Sequence, residues 1–253
     1  MSFSGKRVLI TGSSRGIGQA AAEVFLAAGA RVAINGRSAT STRDGIAALG
    51  GGERLFAAPG DVGTVAGCNA IVEAAVAAMG GLDVLVNSAG VGDSRPMADC
   101  DEAMWDATMN INLKGTFFCI QAAHPHLKKS RGNIVNVASD AGLIGEKGLS
   151  VYCASKAGVV NLTRALALEL APDIRINSVC PGYVDTDMVR RDGIEQAADP
   201  RAAEQALLDY TPLRRLAQPA EIGKAIAYLA SDDAVFITGA ALQIDGGTTA
   251  GHP

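Results

Sequence analysis

Aromatic residues are scarce. Phe, Trp and Tyr supply 4% of the 253 residues, although 48% of the chain is hydrophobic. The core must therefore be built from Ala, Val, Leu and Ile, small side chains that suit helices packed on a parallel sheet. No uninterrupted apolar run is long enough to span a bilayer. Residues 1–6 lead straight into a strand pattern without the marks of a signal peptide, so a cytoplasmic protein away from membranes is expected. Basic stretches are missing too. The formal net charge is -4, and Lys128, Lys129 and Arg131 form too short a cluster to track a nucleic-acid backbone. Histidine is limited to His124, His126 and His252, and the cysteines Cys68, Cys100, Cys119, Cys153 and Cys180 form no C-x-x-C pair. Free, mostly buried thiols and no metal site are expected. His124 and His126 flank Pro125 and read as a helix-end loop.

What is present is alternation. Strand-like runs at residues 6–11, 31–35, 55–58, 82–87, 133–138, 174–179 and 241–244 make seven strands. Helical patterns fall at 18–28, 65–79, 101–127 (ending near Pro125) and 150–170. The succession predicts an α/β fold: a doubly wound, mostly parallel seven-stranded sheet with helices on both faces, in a single domain over 1–253. Residues 186–219 carry charges, Pro200, Pro212 and weak helical patterning. In such a sheet ligands sit beyond the carboxyl ends of the strands, where a long insertion makes a natural substrate lid.

Thr11-Gly12-Ser13-Ser14-Arg15-Gly16-Ile17-Gly18 follows the first strand and opens the first helix. Glycine lets the backbone approach a pyrophosphate closely, and the helix start offers free N–H groups and the positive end of its dipole. The bland alternative is an ordinary strand-to-helix turn, but the place in the first βαβ unit argues for a dinucleotide site. A carboxylate at the end of the second strand usually accepts the ribose hydroxyls of NAD. That end reads Ile34-Asn35-Gly36-Arg37-Ser38 and has none. Arg37 and Arg15 suit a ribose 2′-phosphate instead, because guanidinium pairs with phosphate in bidentate fashion. NADP(H) is the preferred reading and NAD(H) the alternative, in which both arginines are solvated loop charges.

Tyr152 and Lys156 stand four residues apart at the start of the 150–170 helix and share a face. A nearby ammonium favours the phenolate, so this tyrosine is a candidate acid/base for a carbonyl/alcohol pair. The alternative is a surface helix pair. Ser139 stands just past the 133–138 strand, where its hydroxyl could hold a substrate oxygen beside Tyr152; a plain turn serine is the alternative. Asn112 is a poor helix former in mid-helix. A kink there could expose a backbone carbonyl, but by itself the position reads better as an exposed polar residue.

Taken together these residues resemble the short-chain dehydrogenase/reductase family over essentially the whole chain, and the Rossmann-type fold goes with it. Residues 11–18 match its cofactor loop, Asp61-Val62 the pair beside the adenine, and Asn87-Ser88-Ala89-Gly90 its N-N-A-G element with Ser88 in place of the second asparagine. Asn110-Ile111-Asn112 with Gly115 and Phe117 match the segment that carries the catalytic asparagine. Ser139, Tyr152 and Lys156 match in order and spacing, as do Pro181-Gly182 with Thr186, Ile237-Thr238-Gly239 and Asp245-Gly246-Gly247. The resemblance implies that Tyr152 is the acid/base and that Lys156 lowers its pKa and binds the nicotinamide ribose. Ser139 would orient the carbonyl and Asn112 hold a water in a relay to Lys156. Thr186 and the backbone near Val184 would hold the carboxamide. It also implies a homotetramer assembled through the helices that contain Asn112 and Tyr152.

Within that family the pattern looks most like the 3-oxoacyl-carrier-protein reductase type. Lys128, Lys129 and Arg131 could meet an acidic carrier protein, but the acidic turn at 170–175 weakens that case. Sugar, polyol, steroid and small-alcohol dehydrogenases share the scaffold. Substrate would face residues 91–97, 140–149 and 187–216. Gly142, Leu143 and Ile144 form a partly apolar wall there, and Glu146 and Lys147 face polar groups or solvent. A nucleotide-sensing protein without turnover is disfavoured because Asn112, Ser139, Tyr152 and Lys156 are all present. The enoyl-reductase branch is disfavoured because it spaces its tyrosine and lysine more widely.

Overall fold

The computed structural model describes residues 1–251, so His252 lies outside it. Seven strands form one sheet: β1 (Arg7–Thr11), β2 (Arg31–Ile34), β3 (Leu55–Ala57), β4 (Val84–Asn87), β5 (Asn133–Val137), β6 (Arg175–Pro181) and β7 (Ala241–Ile244). Their order is β3-β2-β1-β4-β5-β6-β7 and every pairing is parallel. The chain order reverses between β1 and β4, which is where such a sheet opens a crevice for a ligand. The helices are α1 (Gly16–Ala27), α2 (Ala39–Ala48), α3 (Val65–Met79), α4 (Glu102–Met109), α5 (Gly115–Ser130), α6 (Ser150–Leu170), α7 (Pro200–Tyr210) and α8 (Pro219–Ala230). None among the described residues is long and apolar enough to cross a membrane.

Period-two alternation sorts the strand side chains into two layers. Val8 and Ile10 of β1 pack with Phe25 of α1 and Ile222 and Ile226 of α8. Leu9, between them, packs with Ile71 of α3 and Ile120 and Leu127 of α5. Each fully buried Leu, Ile or Phe contributes about 2 kcal/mol of transfer free energy. Both faces are covered, so the strands read as continuous apolar runs rather than alternating ones.

Local signals place the ends. Thr64 caps α3 by accepting from Gly67 N–H, and Gly80 at φ +75 closes it. The helix expected over 101–127 is two helices, α4 and α5, joined by a π-helical turn at Asn110–Lys114. Pro125 does not end α5, which runs to Ser130, so His124 and His126 are helical residues and not a loop. The buried face of Cys119, Ile120, Ala123 and Leu127 continues across the proline, and that packing outweighs one lost backbone hydrogen bond.

The segment 186–219 is less irregular than its composition suggests. Asp199 caps α7 and Pro200 occupies its first turn. Arg190 pairs with Asp185 and Glu204, and Arg215 with Glu221, so the charges of this segment are paired within it and at its ends. The helix α2 has no apolar stripe in Ala39–Ala48 and is held by the Ser38–Ser41 capping box.

Candidate active site

The glycine loop is built by close approach. A Cβ on Gly12 would lie 2.6 Å from Ala89 Cα, and one on Gly18 would lie 2.5 Å from the Gly12 carbonyl oxygen. Gly12 and Gly16 also sit at φ +63 and +60, where side chains are strained. The loop is knitted to β2 from below. Gly12 N–H donates to Asn35 Oδ1 at 3.0 Å, and Asn35 Nδ2 donates to the Ala58 carbonyl at 2.9 Å. Asn35 N–H donates to Ser13 Oγ at 2.9 Å. Sequence reasoning noticed only that Asn35 is not a carboxylate. Its structural duty explains why: it must donate and accept at once, and an ionised carboxylate only accepts.

The residues fit a dinucleotide on three observations. No side chain caps the α1 start at Arg15, in contrast to α2 and α3, so its N–H groups face outward. Asn87 Nδ2 donates to Asn136 Oδ1, but Asn87 Oδ1 is buried without a partner. A Cβ on Gly16 or Gly90 would meet no backbone, only Thr186 methyl carbon, Asn112 Oδ1 and Lys156 Nζ at the rim. Asp61 folds back onto Gly63 N–H at 2.9 Å, and Val62 is buried beside it. Arg37 is exposed. Arg15 is exposed and pairs with Asp187 of the lid at 3.4 Å.

The reactive residues converge beyond β4, β5 and β6. Helix α6 sets Tyr152 and Lys156 one turn apart, with Lys156 Nζ 5.7 Å from the tyrosine ring centre. Lys156 is 5% exposed and donates to the Val137 carbonyl at 2.9 Å, so the pair is not a surface one. Burial lowers the Lys156 ammonium to about 8 and raises the Tyr152 phenol to about 12, with the Ser139 hydroxyl pulling the phenol the other way. Burial is therefore the dominant influence on the phenol.

Asn112 corrects the sequence reading. It is 1% exposed, not a solvated residue. Its side chain clamps Val91, accepting from the N–H at 2.8 Å and donating to the carbonyl at 2.9 Å, and it donates to Ser155 Oγ at 3.0 Å. Ser155 in turn donates to the Tyr152 carbonyl at 2.7 Å. The π turn makes this reach possible, and π turns cluster at functional sites. The Asn112 carbonyl accepts from Thr116 Oγ1 at 2.8 Å.

Ser139 is buried at the end of β5, and its hydroxyl donates to Asp140 Oδ1 at 2.9 Å. Asp140 was not singled out in the sequence beyond its place in the 140–149 stretch. It is 5% exposed, and burial raises its carboxyl to about 6. Pro181 and Gly182 follow, with Gly182 so close to Asp245 that a Cβ would lie 2.9 Å from its Cα. Thr186 Oγ1 donates to the Val184 carbonyl at 3.3 Å, and Val184 bridges to Ala217 at the lid root. Gly92 faces the Tyr152 ring and Met188, which brings the 91–97 stretch and the lid to the tyrosine. Glu146 accepts from Tyr183 Oη at 3.0 Å, so it is not simply solvated. A separate cavity of about 540 Å³ at the lid root, lined by Asp185, Arg190, Glu204, Arg215 and Glu221 among others, includes none of the reactive residues.

This arrangement can move a proton to or from an oxygen held between Ser139 and Tyr152, beside a dinucleotide cleft. Comparison with known proteins agrees. A family model described as enoyl-(acyl carrier protein) reductase matches residues 12–249. The chain is 39% identical, over 98% of each chain, to the (2S)-[(R)-hydroxy(phenyl)methyl]succinyl-CoA dehydrogenase subunit BbsD of Thauera aromatica. It is 39% identical to the meso-2,3-butanediol dehydrogenase of Serratia marcescens, over 99% of this chain and 97% of that one. The crystal structure of a putative short-chain alcohol dehydrogenase from Sinorhizobium meliloti 1021 superposes with a TM-score of 0.91 at 39% identity, covering 99% of both chains. The chain therefore belongs to the short-chain dehydrogenase/reductase family, oxidoreductases that act on alcohol and carbonyl groups with NAD(P)(H).

Proposed function

We propose that the chain is an NADP(H)-dependent oxidoreductase that interconverts a ketone, foremost a 3-oxoacyl thioester, and a secondary alcohol. The observation that carries the chemistry is the buried Lys156 ammonium one helical turn from Tyr152, with Ser139 facing the same space. A bound nicotinamide supplies or takes the hydride and, when oxidised, adds a positive charge. Tyr152 gives its proton to the carbonyl oxygen in reduction and takes it from the alcohol in oxidation. Ser139 holds that oxygen. Lys156 holds the nicotinamide ribose and, released from Val137, stabilises the phenolate. Asn112 fixes Val91 and Ser155 and so the wall beside Tyr152, and anchors the water of a relay to Lys156. The loop Gly12, Ser14, Arg15, Gly16, Ile17 and Gly18 cradles the pyrophosphate. Asp61 and Val62 flank the adenine, while Asn87, Ala89 and Gly90 line the ribose side. Pro181, Gly182, Val184 and Thr186 hold the carboxamide.

NADP(H) is preferred over NAD(H) because β2 ends without a carboxylate, Arg37 just beyond it is exposed, and Arg15 is exposed in the glycine loop, where it also pairs with Asp187. The thioester reading draws support from the relative that dehydrogenates a hydroxyl on a succinyl-CoA. A second reading, a polyol or small alcohol, is favoured by the Glu146–Tyr183 pair and by the butanediol relative. Docking of a carrier protein is weakly supported, because Lys128 is occupied by Asp173 at 3.3 Å. Residues 186–219 form the substrate lid of the single domain. A homotetramer built through α4, α5 and α6 would cover Trp105, Phe117 and Leu168, which are exposed on those helices.

The test is NADPH consumption with a 3-oxoacyl thioester, a diketone, sugars, polyols and a steroid, in both directions and with both nucleotides, against Tyr152→Phe as the blank. Turnover above the blank on any of these supports the Tyr152 chemistry, and faster turnover of the thioester with NADPH supports the full reading. Its absence on all of them contradicts it.

A further inference from the structure

We infer that Asp140 is a positioning residue that sets the direction of the Ser139 hydroxyl, so that its charged form favours the bound alcohol and its neutral form the bound ketone. The inference rests on the assignment of Ser139 as the residue that holds the substrate oxygen.

The geometry is direct. Ser139 Oγ donates to Asp140 Oδ1 at 2.9 Å, and Ala141 N–H donates to the same oxygen at 2.8 Å and to Ser139 Oγ at 3.2 Å. Asp140 Oδ2 is buried and has no partner, and it lies beside Gly182. A turn-capping role alone does not call for a carboxylate here. Asparagine would accept the same two hydrogen bonds without the cost of burying a charge. Apart from the Ser139 hydroxyl and the Ala141 N–H, the groups that face Asp140 offer its charge no relief. They are Glu146 from the following loop, Cys180 of β6, Tyr183 just beyond it, Asp245 after β7, Tyr152 of α6 and Tyr210 of α7. The Lys156 ammonium of α6 lies toward Cys180 and donates to Val137, and it is not among the groups that act on Asp140.

A hydroxyl has one proton and two lone pairs. An ionised Asp140 holds the Ser139 proton in a charge-assisted bond, roughly twice as strong as a neutral one. Ser139 then has no proton for a ketone oxygen, and its one lone pair not taken by Ala141 N–H accepts the O–H of a bound alcohol until that proton turns to Tyr152. A neutral carboxyl grips that proton weakly. Ser139 can then turn and donate to a ketone oxygen. The carboxyl is raised to about 6, mainly by burial, so the change of charge is centred near that pH.

Two measurements test this. Infrared difference spectra of protein carrying carboxyl-labelled aspartate, wild type minus Asp140→Asn, isolate the protonated carboxyl band. The band should fade as pH rises through about 6. Ser139→Ala should move its midpoint upward by about one pH unit, because the hydroxyl stabilises the charged form. This arm needs no substrate. In the second arm, with a ketone–alcohol pair that the enzyme turns over, the ratio of ketone KM to alcohol KM should rise at least about fivefold from pH 5 to pH 8, in proportion to the loss of one hydrogen bond. In Asp140→Asn the ratio should stay flat and ketone-favouring. Absence of the band, a midpoint unmoved in Ser139→Ala, or a variant ratio that follows the wild type would each overturn the inference. No turnover on any substrate, with the band titrating and shifting as described, would instead count against the proposed reaction and leave the Asp140–Ser139 coupling standing.

Discussion

The two halves of the crevice are built on different physical terms. The nucleotide half is held by backbone approach and buried polar pairing: Gly12 lies against Ala89, and Asn35 is stitched to two segments, the glycine loop and residues 58–60. The substrate side combines the buried Ser139–Asp140 pair with the 186–219 segment, which is held by surface ion pairs such as Arg190–Asp185 and Arg215–Glu221. Buried close approaches fail when one atom is added. Exposed pairs contribute little and tolerate change. One framework can therefore keep its cofactor cleft while its substrate wall varies, and the predictions below test that contrast.

The largest effect is expected at Gly12. In Gly12→Ala a Cβ strikes Ala89 backbone, at a positive φ, and both terms together should destabilise by about 3 kcal/mol or more and abolish nucleotide binding. Gly50→Ala, also at positive φ but in open space, should cost only about 1 kcal/mol. Denaturant melts and nucleotide titrations compare the two; equal losses would break the contrast.

Next comes Asp140→Asn. A carboxyl whose folded pKa is raised stabilises the fold least when ionised, so wild-type stability should fall as pH rises from 4 to about 6. The variant should gain up to about 3 kcal/mol over wild type at pH 8 and nothing at pH 4. A pH-independent difference would show that the charge carries no penalty.

A smaller effect is expected for Arg37→Asp, about a tenfold shift of kcat/KM preference toward NAD(H), the equivalent of one charge-assisted hydrogen bond. An unchanged preference would refute the 2′-phosphate reading. The smallest is Arg215→Ala in the lid. The thermal midpoint should move by less than about 3 °C. A larger drop would mean that the lid pairs matter as much as the buried ones.

Legibility in the sequence follows the same divide. Helices α3 and α6 and strand β7 match their expected bounds, because apolar periodicity, Gly80 and the buried sheet speak in local terms. Order and spacing single out Ser139, Tyr152 and Lys156, and the fold brings the three together. Asn112 was misread from its own neighbourhood, since a π turn and a clamp on Val91 arise only from tertiary packing. Pro125 misled because its cost was judged locally, whereas the continuous buried face of α5 decides the matter. Pro200 by composition reads as a sign of irregularity, but with Asp199 before it the residue opens α7. Asp140 stayed silent because burial of an acid leaves no trace in composition.

The most direct test of the central claim is a pair of measurements on Tyr152→Phe: the nucleotide dissociation constant by calorimetry, and turnover on whichever substrate the wild type accepts. The account predicts nucleotide affinity within about twofold of wild type and turnover lower by about a thousandfold, the scale of a lost general acid/base. Retained turnover would contradict the assignment of Tyr152 as the proton donor and with it the reading of the whole site.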